Sequence, residues 1–302
     1  MMTNDKTTEL LKKVRKIEIK TKGLSDQIFS GGYHSAFKGR GMSFSEVREY
    51  QWGDDVRNID WNVTARTETP YIKIYEEERE LTVMLLIDVS PSTVFGTQLN
   101  EGLYAKRKDE ILTEICAVLS FSAINNNDKV GVIFFTNEIE KIIPPQKGKN
   151  HILLIIRELL DFQPRGKGTD VQLALQTIEK VLKKRSVVFF MSDFMHQAHN
   201  YKDALGIVKK RHDIMAIHLF DERERNLPEN MLLLAEDSET EETLWIDTSD
   251  LNVRKKYTQH FDNNLQLHQT IFQKVGADFL SINIKNSYIM ALLQLFKARA
   301  KH

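Results

Sequence analysis

From residue 81 onward, short uninterrupted apolar runs alternate with longer amphipathic segments. The runs are LTVMLLI (81–87), VGVIFF (130–135), SVVFFM (186–191), IMAIHLF (214–220) and ADFLSINI (277–284). None shows the apolar/polar alternation of a half-exposed strand, so each reads as a strand covered on both faces. Between them, segments 102–126, 151–162, 170–184, 201–211, 255–275 and 287–300 carry apolar residues at helical spacing. Asp170 suits the first turn of its helix, and Lys183 and Lys184 the last, because those charges oppose the helix dipole. Strand alternating with helix predicts an α/β fold: a doubly wound, mostly parallel sheet with helices on both faces. Residues 139–143, before Pro144-Pro145, read as a short edge strand. Residues 232–235 and 243–246, flanking the acidic run EDSETEE, read as a small hairpin. Before residue 80 the chain is glycine-dotted, charged and weakly periodic. The expected organisation is an irregular N-terminal segment, 1–80, packed on a sheet domain, 81–302.

Charge and composition narrow the function classes. The 302 residues hold 42 Lys+Arg and 42 Asp+Glu, a formal net charge of +0. That balance argues against a nucleic-acid binder or a polybasic membrane-surface protein, both of which work through bulk positive potential. The basic run of Lys12, Lys13, Arg15, Lys16, Lys20 and Lys22 reads as a solvated helix face. The single cysteine, Cys116, excludes an intrachain disulfide, and its apolar helical setting reads as a buried, inert thiol. The polar N-terminus has no signal-peptide core, and no apolar run approaches the about 18 residues needed to cross a bilayer. The expectation is a cytoplasmic protein without membrane insertion.

In an open parallel sheet, ligand sites form outside the carboxyl ends of the strands. After the first strand comes Asp88-Val89-Ser90-Pro91-Ser92. After SVVFFM comes Ser192-Asp193-Phe194. The helix at 170 is preceded by Gly166-Lys167-Gly168-Thr169. Three loops thus offer carboxylates and hydroxyls, hard oxygen donors suited to Mg²⁺, Mn²⁺ or Ca²⁺. Alternate side chains of a turning segment share a side, so Asp88, Ser90 and Ser92 can converge. Neutral hydroxyls leave a divalent ion under-neutralised and open to an outside carboxylate. Taken singly, the aspartates could instead be strand-end caps, the serines a turn and Thr169 a helix N-cap.

The three pieces in this order resemble the metal-ion-dependent adhesion site of von Willebrand factor A domains. The resemblance implies that Ser90 and Ser92 bind the metal directly. It implies that Thr169 binds directly or through water, and that Asp88 and Asp193 act through water or as orienters. The remaining position would take an acidic residue of a partner.

Residues 39–67, GRGMSFSEVREYQWGDDVRNIDWNVTART, are dense in Arg, Asp and Trp. Arg48, Arg57 and Arg66 alternate with Asp54, Asp55 and Asp60, and Trp52 and Trp61 supply large apolar faces. These read as a lock of arginine–carboxylate forks and tryptophans pinning the segment to the sheet domain. A phosphate-binding surface is disfavoured by the five acidic residues between Glu46 and Asp60. The pattern G-x-G-x-x-F, then V-R-E-Y-x-x-G-D-D-x-R-x-I-D-W-x-x-x-A-R, is similar to the signature of the bacterial family catalogued as domain of unknown function fifty-eight. Its members join this segment to a von Willebrand A-like domain. The resemblance implies a partner, a MoxR-type AAA+ ATPase or its client, and a role in assembly or maturation of other proteins.

The expected function is therefore a metal-dependent protein–protein interaction module, not an enzyme. The alternative is a metal-dependent hydrolase or phosphatase. An aspartyl phosphatase needs a second Asp two residues after the nucleophile, where this chain has Ser90. No G-x-S-x-G elbow surrounds Ser90 or Ser92, and Gly166-Lys167-Gly168-Thr169 lacks phosphate-loop spacing. His196, close to Asp193, reads as a surface residue.

Overall fold

The computed structural model describes residues 12, 14–21, 42–77, 80–94, 107–196, 201–236 and 242–299. Its centre is a six-stranded sheet: β3 (Thr82–Asp88), β4 (Lys129–Phe135), β5 (Ile139–Gln146), β6 (Val187–Ser192), β7 (Asp213–Phe220) and β10 (Asp278–Asn283). The order is β10-β7-β6-β3-β4-β5, with every pair parallel except β4–β5. The five apolar runs are the five parallel strands. Val83 through Asp88 are all buried, as continuous apolar patterning requires of a strand covered on both faces. The edge strand β5 is longer than expected and runs through Pro144 and Pro145. An edge tolerates residues that cannot donate to a ladder.

Strand alternation divides the core. Val83, Leu85 and Ile87 face one cluster with Ile115, Val118 and Leu119 of α3 (Lys108–Asn125) and Leu292 and Phe296 of α9 (Tyr288–Arg299). Met84 and Leu86 face the other, with Leu175 of α5 (Val171–Val181), Leu205 of α6 (Lys202–Arg211) and Phe272 of α8 (Leu251–Lys274). Each such side chain contributes about 1.5–3 kcal/mol on full burial. Helix α3 is buried on nearly every side because α4 (Lys149–Asp161) covers its outer face. There Ala117 and Phe121 meet Ile152 and Ile156. The helix α1 (14–21) adds Val14 to that cluster, and Lys20 reaches Glu114 at 2.7 Å. The described basic residues Lys12, Arg15, Lys16 and Lys20 are exposed, as a solvated face requires, while Val14 and Thr21 on the opposite face are buried.

Helix ends differ from the expected ones for physical reasons. Asp170 lies outside α5 as its N-cap, accepting from the Leu173 N–H at 2.9 Å. The helix stops at Val181, so Lys180 is the basic residue of its last turn. Helix α8 starts at Leu251, earlier than its apolar pattern, because Asp250 caps it. Residues 102–106 of the predicted first helix lie outside the described residues. The predicted hairpin forms as β8 (Leu232–Glu236) and β9 (Thr243–Asp247).

The described part of the N-terminal segment, 42–77, is not irregular. β1 (Met42–Glu49) pairs antiparallel with β2 (Tyr71–Glu77), and α2 (Trp61–Thr67) lies between them, capped by Asp60. The expected forks are local. Arg48 chelates Asp54 at 2.8 and 2.9 Å, and Arg57 chelates Asp55 two residues away. Asp60 pairs with Lys73 at 3.4 Å and so ties α2 to β2. The tryptophans do not pin the segment: Trp52 is fully exposed and Trp61 is 71% exposed. Arg66 is exposed on α2. Attraction between near neighbours along the chain closes these forks without a tertiary partner.

Candidate functional site

Outward from β3 the chain reaches β4 on one side, while β6 flanks β3 on the other. This is the topological switch point, where an open sheet leaves a crevice at its carboxyl edge. Asp88 ends β3. Its Oδ1 accepts the Ser90 N–H at 3.0 Å, an Asx turn that folds Ser90 back toward it. The Thr93 hydroxyl closes on the Ser90 carbonyl at 2.7 Å and tightens the turn. The two serine hydroxyls then lie 3.0 Å apart. On β6, the Ser192 hydroxyl donates to Asp88 Oδ2 at 2.7 Å. Asp193 follows, held by the Met195 N–H at 3.3 Å, with the Ser92 hydroxyl near enough to lower its carboxyl. Asp88, Ser90, Ser92 and Asp193 thus converge as expected. The strand ends bring them together, through main-chain turns that their own side chains build.

Thr169 stands at the same edge but one strand over. Its neighbour Asp170 donates its N–H to Thr136 O at 2.9 Å, just past the end of β4. Because Asp170 is the N-cap, Thr169 is not one, and its half-buried hydroxyl is not occupied in capping. Among the described residues, no hydrogen bond joins Thr169 to the other four. The loop before it is set by Glu140 on β5. Its Oε1 accepts the N–H groups of Arg165 and Gly166, each at 2.8 Å, and the Thr136 hydroxyl at 3.0 Å. These donors hold the Glu140 carboxyl below its ordinary range against a desolvation that would raise it. A Cβ at Gly166 would lie 2.1 Å from Thr136 Oγ1 and Asn137 Oδ1, so the loop needs glycine there.

Two further charged groups reach the crevice. Lys108, the first residue of α3, is 1% exposed. Its Nζ lies 3.1 Å from Asp193 Oδ2 and 2.5 Å from Glu224 Oε1. Glu224 sits on the short helix α7 (Glu222–Arg225), just past β7. Its other oxygen accepts the Asp221 N–H at 2.7 Å, completing a capping box. Burial pushes Asp88 up to about 7, helped by the neighbouring Asp193 charge. Burial would raise Asp193 too, but the Lys108 ammonium outweighs it and holds Asp193 below its ordinary value. For Glu224, burial wins and the carboxyl is raised. Lys108 itself stays protonated, its desolvation overcome by Asp193 and Glu224.

Beside this crevice lies an aromatic cluster. Phe194 has a left-handed backbone (φ 50°), held by rings of Phe190, Phe279 and His268 with centroids 4.9–5.2 Å away. His196 is not at the surface. Its ring packs among Phe194, Tyr201 and His268, and both its nitrogens are buried without hydrogen-bond partners. Burial pushes it down to about 3. Cys116 is buried as expected, its thiol raised by burial and facing Met191 Sδ at 3.6 Å.

Among the described residues, no group of three or more His, Cys, Asp or Glu is arranged to hold a metal. A cation here would draw on hydroxyls, and the geometry suits that. Octahedral Mg²⁺ bonds oxygen at about 2.0–2.1 Å, so adjacent ligands lie about 3 Å apart. The Ser90–Ser92 pair already has that spacing, 3.0 Å. Three buried carboxyls (Asp88, Asp193, Glu224) and one buried ammonium gather at this edge, more acidic groups than basic ones, and a cation would favour their ionised forms.

Sequence patterning missed Lys108, Glu224 and Glu140, and quoted Ser192 without giving it a role. The Asp221-x-x-Glu224 capping-box spacing directly after a strand, and Ser192 beside Asp193, were legible signals. Lys108 and Glu140 carried none.

Fold and site together define a class: a doubly wound α/β protein with paired hydroxyls and carboxylates at the switch point of its sheet. The chain belongs to the family described as Protein of unknown function DUF58, whose sequence profile matches residues 46–266. It is 28% identical over 229 residues to the uncharacterized protein Rv1480 of Mycobacterium tuberculosis, covering 75% of this chain and 70% of that one. It is 22% identical over 161 residues to the uncharacterized protein MAV169 of Mycobacterium avium, covering 53% of this chain and 94% of that one. Among solved structures it is similar to the conserved hypothetical protein BatB from Bacteroides thetaiotaomicron, at 14% identity and TM-score 0.48, covering 74% of this chain and 100% of that one. It is also similar to the SpRpn10 VWA domain, at 11% identity and TM-score 0.40, covering 72% and 95%. No helix among the described residues is long and apolar enough to cross a membrane.

Proposed function

We propose that this protein is a metal-dependent interaction module. A divalent cation, Mg²⁺ or a similar hard ion such as Mn²⁺ or Ca²⁺, would be held by the Ser90 and Ser92 hydroxyls. Asp88 and Asp193 would supply negative charge around it, and Thr169 would complete the set from the neighbouring loop. The cation would leave a position for a carboxylate of a partner protein. The observation that carries the reading is the Ser90–Ser92 hydroxyl pair, 3.0 Å apart, beside a buried group with more acidic members than basic ones. A hydroxyl-rich set quenches little of the ion's charge, which favours capture of an outside carboxylate over hydrolysis. The partner we favour is a MoxR-type AAA+ ATPase or its client, with the complex acting in the cytoplasm on assembly or maturation of other proteins. The alternative, a metal-dependent hydrolase or phosphatase, is weakened by Ser90 standing where a second acid would be needed.

Ser90→Ala/Ser92→Ala tests the reading. Titration calorimetry with Mg²⁺ and Mn²⁺ should show binding to the unaltered protein and at least about tenfold weaker binding to the variant. Pull-down of the ATPase should be lost in the variant and in EDTA. Equal metal affinity in both proteins, or capture unchanged by EDTA, refutes it.

A further inference from the structure

Lys108 breaks two local rules at once. It is a lysine with its charged head buried, and it is a cation in the first turn of a helix, where the dipole favours anions. Its neighbours Asp109 and Glu110 already satisfy the dipole, so Lys108 is not there for the helix. Nor is it placed for α3 packing, since its ammonium points across the carboxyl edge of the sheet to groups after β6 and β7. Such disagreement between local preference and observed placement marks a residue set by its site.

Its position relative to the hydroxyl pair gives that placement a meaning. The Ser92 hydroxyl helps lower the Asp193 carboxyl, and Asp193 Oδ2 is 3.1 Å from the ammonium. A cation seated on the serine hydroxyls would therefore share Asp193 with Lys108 and repel it through a dry, weakly screened interior. Glu224, 2.5 Å from the same ammonium, pulls it the other way, toward β7.

Resting on the metal reading above, we propose that Lys108 is the site's built-in counter-cation. It competes with divalent metal for Asp193 and so sets the metal affinity, while Glu224 draws it aside. A partner carboxylate arriving on the metal restores the negative charge that Lys108 cancels. Metal and partner would then bind with positive coupling, each raising the affinity for the other by the same factor. A purely structural ion pair, clamping the start of α3 to β6 and α7, makes a different prediction: losing either member loosens the site and weakens metal binding.

The two readings separate by sign. In the full-length chain, Mn²⁺ titrated by calorimetry should bind Lys108→Met at least about tenfold tighter than the unaltered protein, because one unit charge has left the metal's neighbourhood. Glu224→Gln keeps the shape and releases part of the ammonium to Asp193, so it should bind Mn²⁺ several-fold more weakly. Melting in EDTA checks that each variant is folded. A folded Lys108→Met that binds no tighter overturns the proposal. If Lys108→Met does not fold, Lys108→Gln, which keeps a polar head without the charge, takes its place and must bind tighter; Glu224→Gln that binds unchanged or tighter also overturns the proposal. If neither the unaltered protein nor Lys108→Met binds Mn²⁺, the metal reading falls and this proposal with it. If both bind but with equal affinity, only the proposal falls.

Discussion

His268 provides a measurable link between the aromatic cluster and acid stability. The residue is fully buried on α8. Its Nδ1 meets the Tyr201 hydroxyl at 2.6 Å and its Nε2 faces the His196 carbonyl at 3.2 Å. Other titratable groups near it are the neutral His196 and His218 rings and Asp193, whose charge pulls His268 upward. Burial dominates and pushes His268 down to about 4. Its unfolded value is about 6.5, so between those values the unfolded chain binds a proton that the folded chain refuses. The stability from this group is present above about 6.5 and is lost as pH falls toward 4. Each pH unit below 6.5 costs about 1.4 kcal/mol, so moving from pH 7 to pH 5 removes about 2 kcal/mol. Total stability is a poor readout of one residue. His196 and His218 add losses of the same sign, whereas Asp88, raised to about 7, and Asp128, raised to about 6, act in the opposite sense. The difference between variant and unaltered protein isolates it. His268→Gln retains an acceptor for Tyr201 and cannot titrate. Urea unfolding in EDTA at pH 7 and pH 5 should show the variant losing about 2 kcal/mol less than the unaltered protein over that interval. Identical losses would refute the claim that burial keeps His268 neutral.

Other predictions follow from the loop and the docked helix. Gly166→Ala should destabilise the protein by about 1–3 kcal/mol and expose the 165–170 loop to proteolysis, since Thr136 and Asn137 must move aside for the methyl. Glu140→Ala leaves two backbone N–H groups without their acceptor, so hydrogen exchange at Arg165 and Gly166 should accelerate at least about tenfold while the β3 and β6 amides stay protected. Val14→Asp places a charge in the contact between α1 and α4. It should lower stability by about 1–3 kcal/mol, read by thermal melting, and release residues 14–21 to exchange.

The parallel strands and most helices were written in the chain because burial on both faces leaves an uninterrupted apolar run, a pattern local enough to read. Asp88, Ser90, Ser92 and Asp193 were legible for a related reason. Each stands at a strand end, and in a doubly wound sheet the strand ends share one edge. Boundaries were less visible. The caps Asp170 and Asp250 moved helix ends by a few residues because one side-chain hydrogen bond settles each start. In the N-terminal segment, charge alternation showed the forks but not their partners. Arg48 and Arg57 close on carboxylates nearby in the chain, leaving Trp52 and Trp61 outside.

What the sequence determined by itself was the order of strands and helices, the edge at which chemistry could gather, and four of the residues gathered there. What only the tertiary structure decided was the charge environment of that edge. Lys108 comes from the start of a helix, Glu224 from a capping box after the fourth parallel strand, and Glu140 from the antiparallel edge. They are far apart in sequence and follow no period. Their meeting depends on which strands lie side by side, and that is settled by packing across the whole sheet.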